Sequence, residues 1–444
     1  MGIYVNPGNS SFKKAVNSKI YIDKTELIAS VNDRIGTSDC FLCVSRPRRF
    51  GKSMAADMLA AYYSRGCDSC TLFAGKRIAE ESSFKMHLNQ HLVIRLDIQR
   101  FLFDESHLDI FIDEIQDRII QELREVYDGN FQCGPYRLPG TLEQIHAHTG
   151  DNFIFIIDEW DCVFRIAKDR IEIQKKYLDF LRGLFKGAEY VELAYMTGIL
   201  PIKKYGEHSA INIFNEYSMI EPKDLGEYFG FTETEVREQC NEYGADYEEM
   251  KKWYDGYQLD EILIYNPKSV VDALMWKDFQ SYWTGTETYE ALKVYIDLNF
   301  DGLKEAVIKM LGNGRCRINT RKFQNDMTTF HTKDDVLTLL IHLGYLTYDR
   351  KTREAFIPNQ EIAQEFQNAI EGPAWDGVIR SLEQSADLLE CTWKMDGKAV
   401  ADRLETIHSE TTSILKYNDE NSLTCTILMA YYSAQAYYMK PIME

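Results

Sequence analysis

Three consecutive residues, Gly51-Lys52-Ser53, follow an apolar run and precede a stretch of helical character. Backbone N–H groups at such a loop and helix N-terminus can cradle phosphates. Lys52 would reach the β- and γ-phosphates, and the Ser53 hydroxyl would ligate Mg²⁺. The loop is a variant. The usual pattern is G-x-x-x-x-G-K-[ST], but position 46 is Arg, and Pro47 brings no N–H. The candidate nucleotide-binding residues are therefore Arg46, Pro47, Arg48, Arg49, Phe50, Gly51, Lys52, Ser53 and Met54. Three loop arginines beside the expected phosphates would strengthen anion binding. The same charges would equally suit contact with another subunit or nucleic acid, or a solvated basic loop.

A second element answers the first. The apolar run Ile154-Phe-Ile-Ile157 leads into Asp158-Glu159, in the arrangement of a Walker B motif. Asp158 would hold Mg²⁺, usually through water, because Mg²⁺ takes one or two protein carboxylates plus phosphate oxygens. Glu159 would polarise the attacking water. Thr197 ends the next apolar run, where it could sense the γ-phosphate or simply satisfy backbone. Lys203 and Lys204 follow and could add positive charge. The candidate catalytic residues are Glu159, Lys52 and Thr197; the candidate metal ligands are Ser53 and Asp158; the expected cofactors are ATP and Mg²⁺.

These residues need elements to hold them. Residues 41–45, 92–98, 153–157 and 191–197 read as strands. Residues 52–64, 107–127 and 171–187 read as helices, as does a segment starting at Glu26 with Thr25 as its cap. The run Phe153-Ile-Phe-Ile-Ile157 suits a central strand buried on both faces. Alternating strands and helices predict an α/β fold: a P-loop NTPase parallel sheet flanked by helices. Past residue 220 the chain turns helical and aromatic. Trp253-Tyr-Asp-Gly-Tyr257 and Tyr265-Asn-Pro267 mark turns. Helices followed by Leu343–Asp349 and Glu354–Pro358 predict a winged helix over 288–372. The expected organisation is an ATPase domain over 1–220, a helical lid-like region over 221–287, the winged-helix-like domain over 288–372 and an α-rich module over 373–444.

Bulk properties bound the rest. The chain has 444 residues, 45% hydrophobic and 27% charged, with a formal net charge of −19. Such an acidic balance disfavours non-specific nucleic-acid binding but leaves room for one basic face, and Arg315, Arg317, Arg321 and Lys322 form such a stretch. DNA or a protein partner, and self-association, stay open. No apolar run is long enough to span a bilayer. Met1-Gly-Ile-Tyr-Val-Asn-Pro lacks signal-peptide features, so a cytoplasmic location is expected and no membrane partner. Ten cysteines include two C-x-x-C pairs, Cys40/Cys43 and Cys67/Cys70. The first lies in a strand, where a three-residue offset sends the thiols to opposite faces, so packing is the better reading than zinc.

With these residues in hand, the chain resembles the bacterial and archaeal AAA-ATPase-like family, often fused to a PD-(D/E)XK nuclease-like domain. The segments that carry the resemblance are Tyr21-Ile-Asp-Lys-Thr25, Arg46–Ser53, Phe155–Glu159, Thr197–Pro201, Trp253–Tyr257, Tyr265–Pro267, Leu343–Leu346 and Ile357–Asn359. The resemblance implies that Arg46 belongs to the family's own P-loop. It further implies that Tyr417–Leu423 opens a nuclease-like module, with Glu420 at its first acidic position. The later Asp and Glu-x-Lys have no counterpart here, so no nuclease activity is expected. Tyr431, Tyr432, Tyr437 and Tyr438 would offer apolar surface for contacts.

Overall fold

The computed structural model describes residues 2–102, 104–127, 137–202, 211–283, 289–298, 300, 302–323, 330–370, 376–411 and 430–431. Lys203, Lys204, Glu420, Tyr432, Tyr437 and Tyr438 lie outside the described residues.

The centre is a five-stranded sheet of β1 (Phe41–Ser45), β2 (Leu92–Asp97), β3 (Phe153–Asp158), β4 (Val191–Gly198) and β5 (Asn215–Tyr217). The strands run parallel in the order β2-β3-β4-β1-β5. Alternate residues face opposite layers, as a pleated strand requires. On β3, Phe153, Phe155 and Ile157 join one core with Cys43 and Met196; Ile154 and Ile156 join the other with Leu42, Val44 and Tyr195. All six residues of β3 are buried, which is why its sequence is continuously apolar rather than alternating. Cys40 and Cys43 divide between the two cores in the same way.

Helices cover both faces. Phe111–Val126, Leu138–Thr149 and Ile171–Phe185 pack on the first core. On the second lies Lys52–Tyr63, nearly all of whose residues are buried, which fits its apolar, alanine-rich composition. A fully buried Leu59 there contributes about 1.5–3 kcal/mol relative to exposure. Glu26–Asn32 is helical as expected, but Thr25 does not cap it. Its backbone is already helical, and its hydroxyl accepts from the backbone N–H of Ile78 instead (3.1 Å). Thr25 ties the helix to a neighbouring segment.

The second half is built from short sheets and capped helices. β6 (Phe231–Thr232), β7 (Tyr257–Leu259) and β8 (Ile262–Tyr265) form an antiparallel sheet in the order β6-β8-β7. Helix Glu233–Tyr243 starts at a capping box, with Thr232 N–H donating to Glu235 (2.8 Å). Asn266 caps Pro267–Trp276, with Pro267 in the first turn. Helices Tyr289–Ile296, Leu303–Leu311 and Lys333–Leu343 come next, interleaved with β9 (Cys316–Arg317) and followed by the hairpin β10 (Thr347–Asp349) and β11 (Glu354–Phe356). Strand order is β10-β11-β9. Helices Gln360–Ala369, Asp376–Trp393 and Gly397–Thr411 follow. Phe50, Ile199, Leu200 and Met219 share one apolar core with Tyr257, Trp283, Leu340 and Phe366, so the two halves are packed together. Among the described residues, no helix is long and apolar enough to cross a membrane.

Candidate functional site

Parallel sheets gather ligand-facing groups at the carboxyl ends of their strands. β1 ends at Ser45, β3 at Asp158 and β4 at Gly198, with β4 hydrogen-bonded between the other two. The register pairs Val44 with Thr197 and Ile157 with Met196, so the loop after β1, Asp158-Glu159 and Thr197 lie at one edge. Helix Lys52–Tyr63 opens there.

The turn into that helix is set by Gly51, whose φ of +89° suits glycine and almost no other residue. A Cβ placed on Gly51 would meet nothing within 4 Å, so the loop is open on that side. Lys52 is buried, and its Nζ donates to the carbonyl of Pro47 within the same loop (2.9 Å). Burial pulls its ammonium below the usual lysine range, while Glu159, Asp158 and Asp161 hold the charge on. Ser53 and Met54 are exposed on the first turn.

Asp158 is buried and accepts a hydrogen bond from the Thr197 hydroxyl. Glu159 has φ +53°, a left-handed conformation that costs a non-glycine residue roughly 1–2 kcal/mol. Burial raises its carboxyl above the usual range, with Lys52 and Arg165 opposing. Its side chain is paired with Arg165, which also approaches Asp161 (3.4 Å). Asp161 is fully buried and receives the backbone N–H groups of Ile199 (3.1 Å) and Leu200 (2.9 Å), locking the segment after β4. Gly198 is required beside it: a Cβ would lie 2.5 Å from Asp161 Oδ1.

The loop arginines divide in an unexpected way. Arg46 is fully buried. Its guanidinium donates to the carbonyls of Ser45 (2.9 Å) and Tyr217 (2.8 Å) and lies over the Phe229 ring (5.4 Å). Its backbone N–H bonds Gly198 (3.1 Å). The side chain thus clamps β1 to β5 rather than facing the open side of the loop. Burial brings its pKa down to about 10, so it stays protonated at neutral pH. Arg48 is exposed; Arg49 is half-buried with φ +68° and lies in the field of Asp272 and Glu361. Pro47 is buried beside Gly344, and Phe50 packs edge-on against Tyr257 (5.1 Å).

Lys52, Asp158, Glu159 and Thr197 are therefore drawn together. Asp161 and Arg165 belong to the same constellation and were not anticipated from sequence. The available signal was a second acid three residues after Asp158, with an arginine four residues further on. Asp97 is a further case: its register partner is Asp158, and burial beside that carboxylate raises it.

Comparison with known proteins places this geometry in context. Residues 7–206 match a family model described as "Predicted AAA-ATPase". An uncharacterised protein of the vnfD 5' region of Azotobacter chroococcum mcd 1 is 27% identical over 278 residues, 61% of this chain. The match spans 51% of that relative, about half its length.

Proposed function

We propose that this chain, whose residues 7–206 match a family model described as "Predicted AAA-ATPase", binds Mg·ATP at the loop Arg46–Ser53 and hydrolyses it slowly as a conformational switch. One observation carries the reading. Lys52, Asp158, Glu159 and Thr197, distant in sequence, converge at the carboxyl edge of the sheet beside an open helix N-terminus. An ammonium, a carboxylate with a hydroxyl partner and an exposed serine hydroxyl form a donor set that fits a magnesium nucleotide.

Lys52 would leave the Pro47 carbonyl for the phosphates. Ser53 and Asp158 would hold Mg²⁺, which when bound supplies charge to the β- and γ-oxygens. The backbone N–H groups from Arg48 to Ser53 would cradle the phosphates, and Thr197 would hold Asp158 in orientation. Glu159 would accept the proton of the attacking water, a role favoured by a carboxyl already raised by burial. The Glu159–Arg165 pair bears on the rate: the carboxylate must exchange Arg165 for water before it acts as a base. Binding with little turnover is the second reading, and this pairing favours it.

The test is ATP affinity and phosphate release by wild type, Lys52→Ala and Glu159→Gln. Lys52→Ala is expected to lose binding by an order of magnitude or more. Glu159→Gln should keep binding while turnover falls by about 100-fold, the lower end for a lost general base. Equal turnover in all three proteins overturns the reading.

A further inference from the structure

A second charged site lies away from the P-loop. A cleft of about 530 Å³ opens where the segment at Ile220–Glu221 meets the small sheet β9–β11. Four arginines line it: Arg317 at the end of β9, Arg321 on the following turn, and Arg350 and Arg353 in the β10–β11 hairpin. All four are exposed. Two acids, Glu221 and Asp334, line it as well, so the arginines outnumber the acids by two. Glu221 pairs with Arg350 (3.4 Å), and Asp334 accepts the backbone N–H of Asn319 (3.0 Å). Arg317, Arg321 and Arg353 have no acidic partner among the described residues. Arg353 is held at φ +60° while its carbonyl accepts from Ile318 (3.0 Å), which fixes the hairpin turn against β9.

From this geometry we propose that the cleft binds the phosphate backbone of nucleic acid. Guanidinium groups offer paired donors that match phosphate oxygens, and the cleft uses arginine throughout. Its volume admits more than one phosphate, and exposed Lys322 extends the basic track beyond it. In a chain of net charge −19, a local surplus of positive charge is where a polyanion is drawn. The adjoining helix Lys333–Leu343 cannot read bases: residues 335–343 are all buried. Contact through phosphates alone gives binding with little sequence preference. The proposal does not depend on ATP binding.

The experiment is fluorescence anisotropy of the full chain with a labelled duplex DNA of random sequence, in about 50 mM and about 200 mM salt. Three phosphate contacts on duplex predict roughly 40-fold weaker binding at the higher salt. Arg317→Glu/Arg321→Glu/Arg353→Glu should abolish binding and its salt dependence, while the Lys replacements at the same positions stay near wild type. Thermal melting checks that both variants fold. A labelled single strand that binds better than duplex, and is lost in the same variant, also supports the site. The proposal is overturned if wild type fails to bind at low salt, if the Glu variant binds like wild type, or if polyglutamate displaces the probe as well as unlabelled DNA does.

Discussion

Glu361 offers a quantitative test of how the second half is packed. It sits on helix Gln360–Ala369 and is fully buried. Its carboxylate oxygens accept from the Ser269 hydroxyl (2.9 and 3.0 Å) and from the Tyr282 N–H (2.8 Å). Glu365, one turn on, is buried too, and no cation forms an ion pair with Glu361 among the described residues. Burial first, with Glu365 adding to it, pushes the Glu361 carboxyl up to about 7 from its ordinary 4.5. A shift of about 2.5 units corresponds to roughly 3 kcal/mol. The sign follows from linkage. The folded state holds the proton more tightly than the unfolded chain, so this stabilisation is full below about pH 4.5 and is lost as pH rises through about 7. Between about pH 5 and pH 8 the wild type should lose about 2–3 kcal/mol from this group alone. Glu361→Gln keeps an acceptor for Tyr282 and removes the titration. The assay is urea unfolding of both proteins across that range, following the transition of the second half. The variant should gain on the wild type as pH rises, by about that amount. Parallel pH profiles would refute the assignment of a buried carboxyl raised in the folded state.

Two further substitutions address the loop. Arg46→Ala leaves the Tyr217 carbonyl without its donor and opens a cavity, so it should destabilise the fold by roughly 3–5 kcal/mol in a melting experiment. A phosphate-facing Arg46 would instead lower ATP affinity at unchanged stability, and that outcome would contradict the clamp. Gly344→Ala places a Cβ 2.7 Å from the Pro47 ring at φ +89°; stability should fall by about 1–3 kcal/mol and ATP affinity with it, since the loop must shift, whereas unaltered affinity in isothermal titration would show that loop and hairpin half are uncoupled.

What the sequence made legible was local and apolar. The runs at 41–45, 92–97 and 153–158 are strands within a residue of their expected limits, because burial on both faces leaves an unbroken apolar signature. Asp158 and Thr197 were legible because each sits where a strand ends, marked by a change from apolar to polar, and Lys52 because a glycine and a helix start beside it follow an apolar strand. Side-chain direction was not legible. A charged residue in a loop reads as solvated or ligand-facing, yet Arg46 is interior, held by the carbonyl of its neighbour Ser45 and by the Tyr217 carbonyl and Phe229 ring, which are far away in sequence. Thr25 failed for the same reason: a good capping residue was drawn to Ile78 by tertiary contact. Asp161 and Arg165 are harder to read because their roles follow from the neighbours they lock, Ile199, Leu200 and Glu159, and their i,i+4 spacing alone is common on any helix.

These placements bear on how the loop proposed to bind phosphate would dispense with a first glycine. A glycine-rich loop wraps phosphates because its backbone is free to bend, and that freedom is lost entropically when the ligand binds. Here the loop is anchored on both sides instead. Arg46 fastens its start to β5 through Tyr217, and Phe50 fastens its end in the core shared with Tyr257, its carbonyl taking the N–H of Gly230 (3.2 Å). Pro47 is pressed against Gly344 between these anchors. The backbone is therefore set before any ligand arrives, and its position is shared with residues of the second half. A ligand that moves this loop must also move Tyr257, Gly230 and Gly344, whereas a flexible glycine loop could shift alone. The substitutions that make the loop look irregular are the ones that connect it to the rest of the molecule.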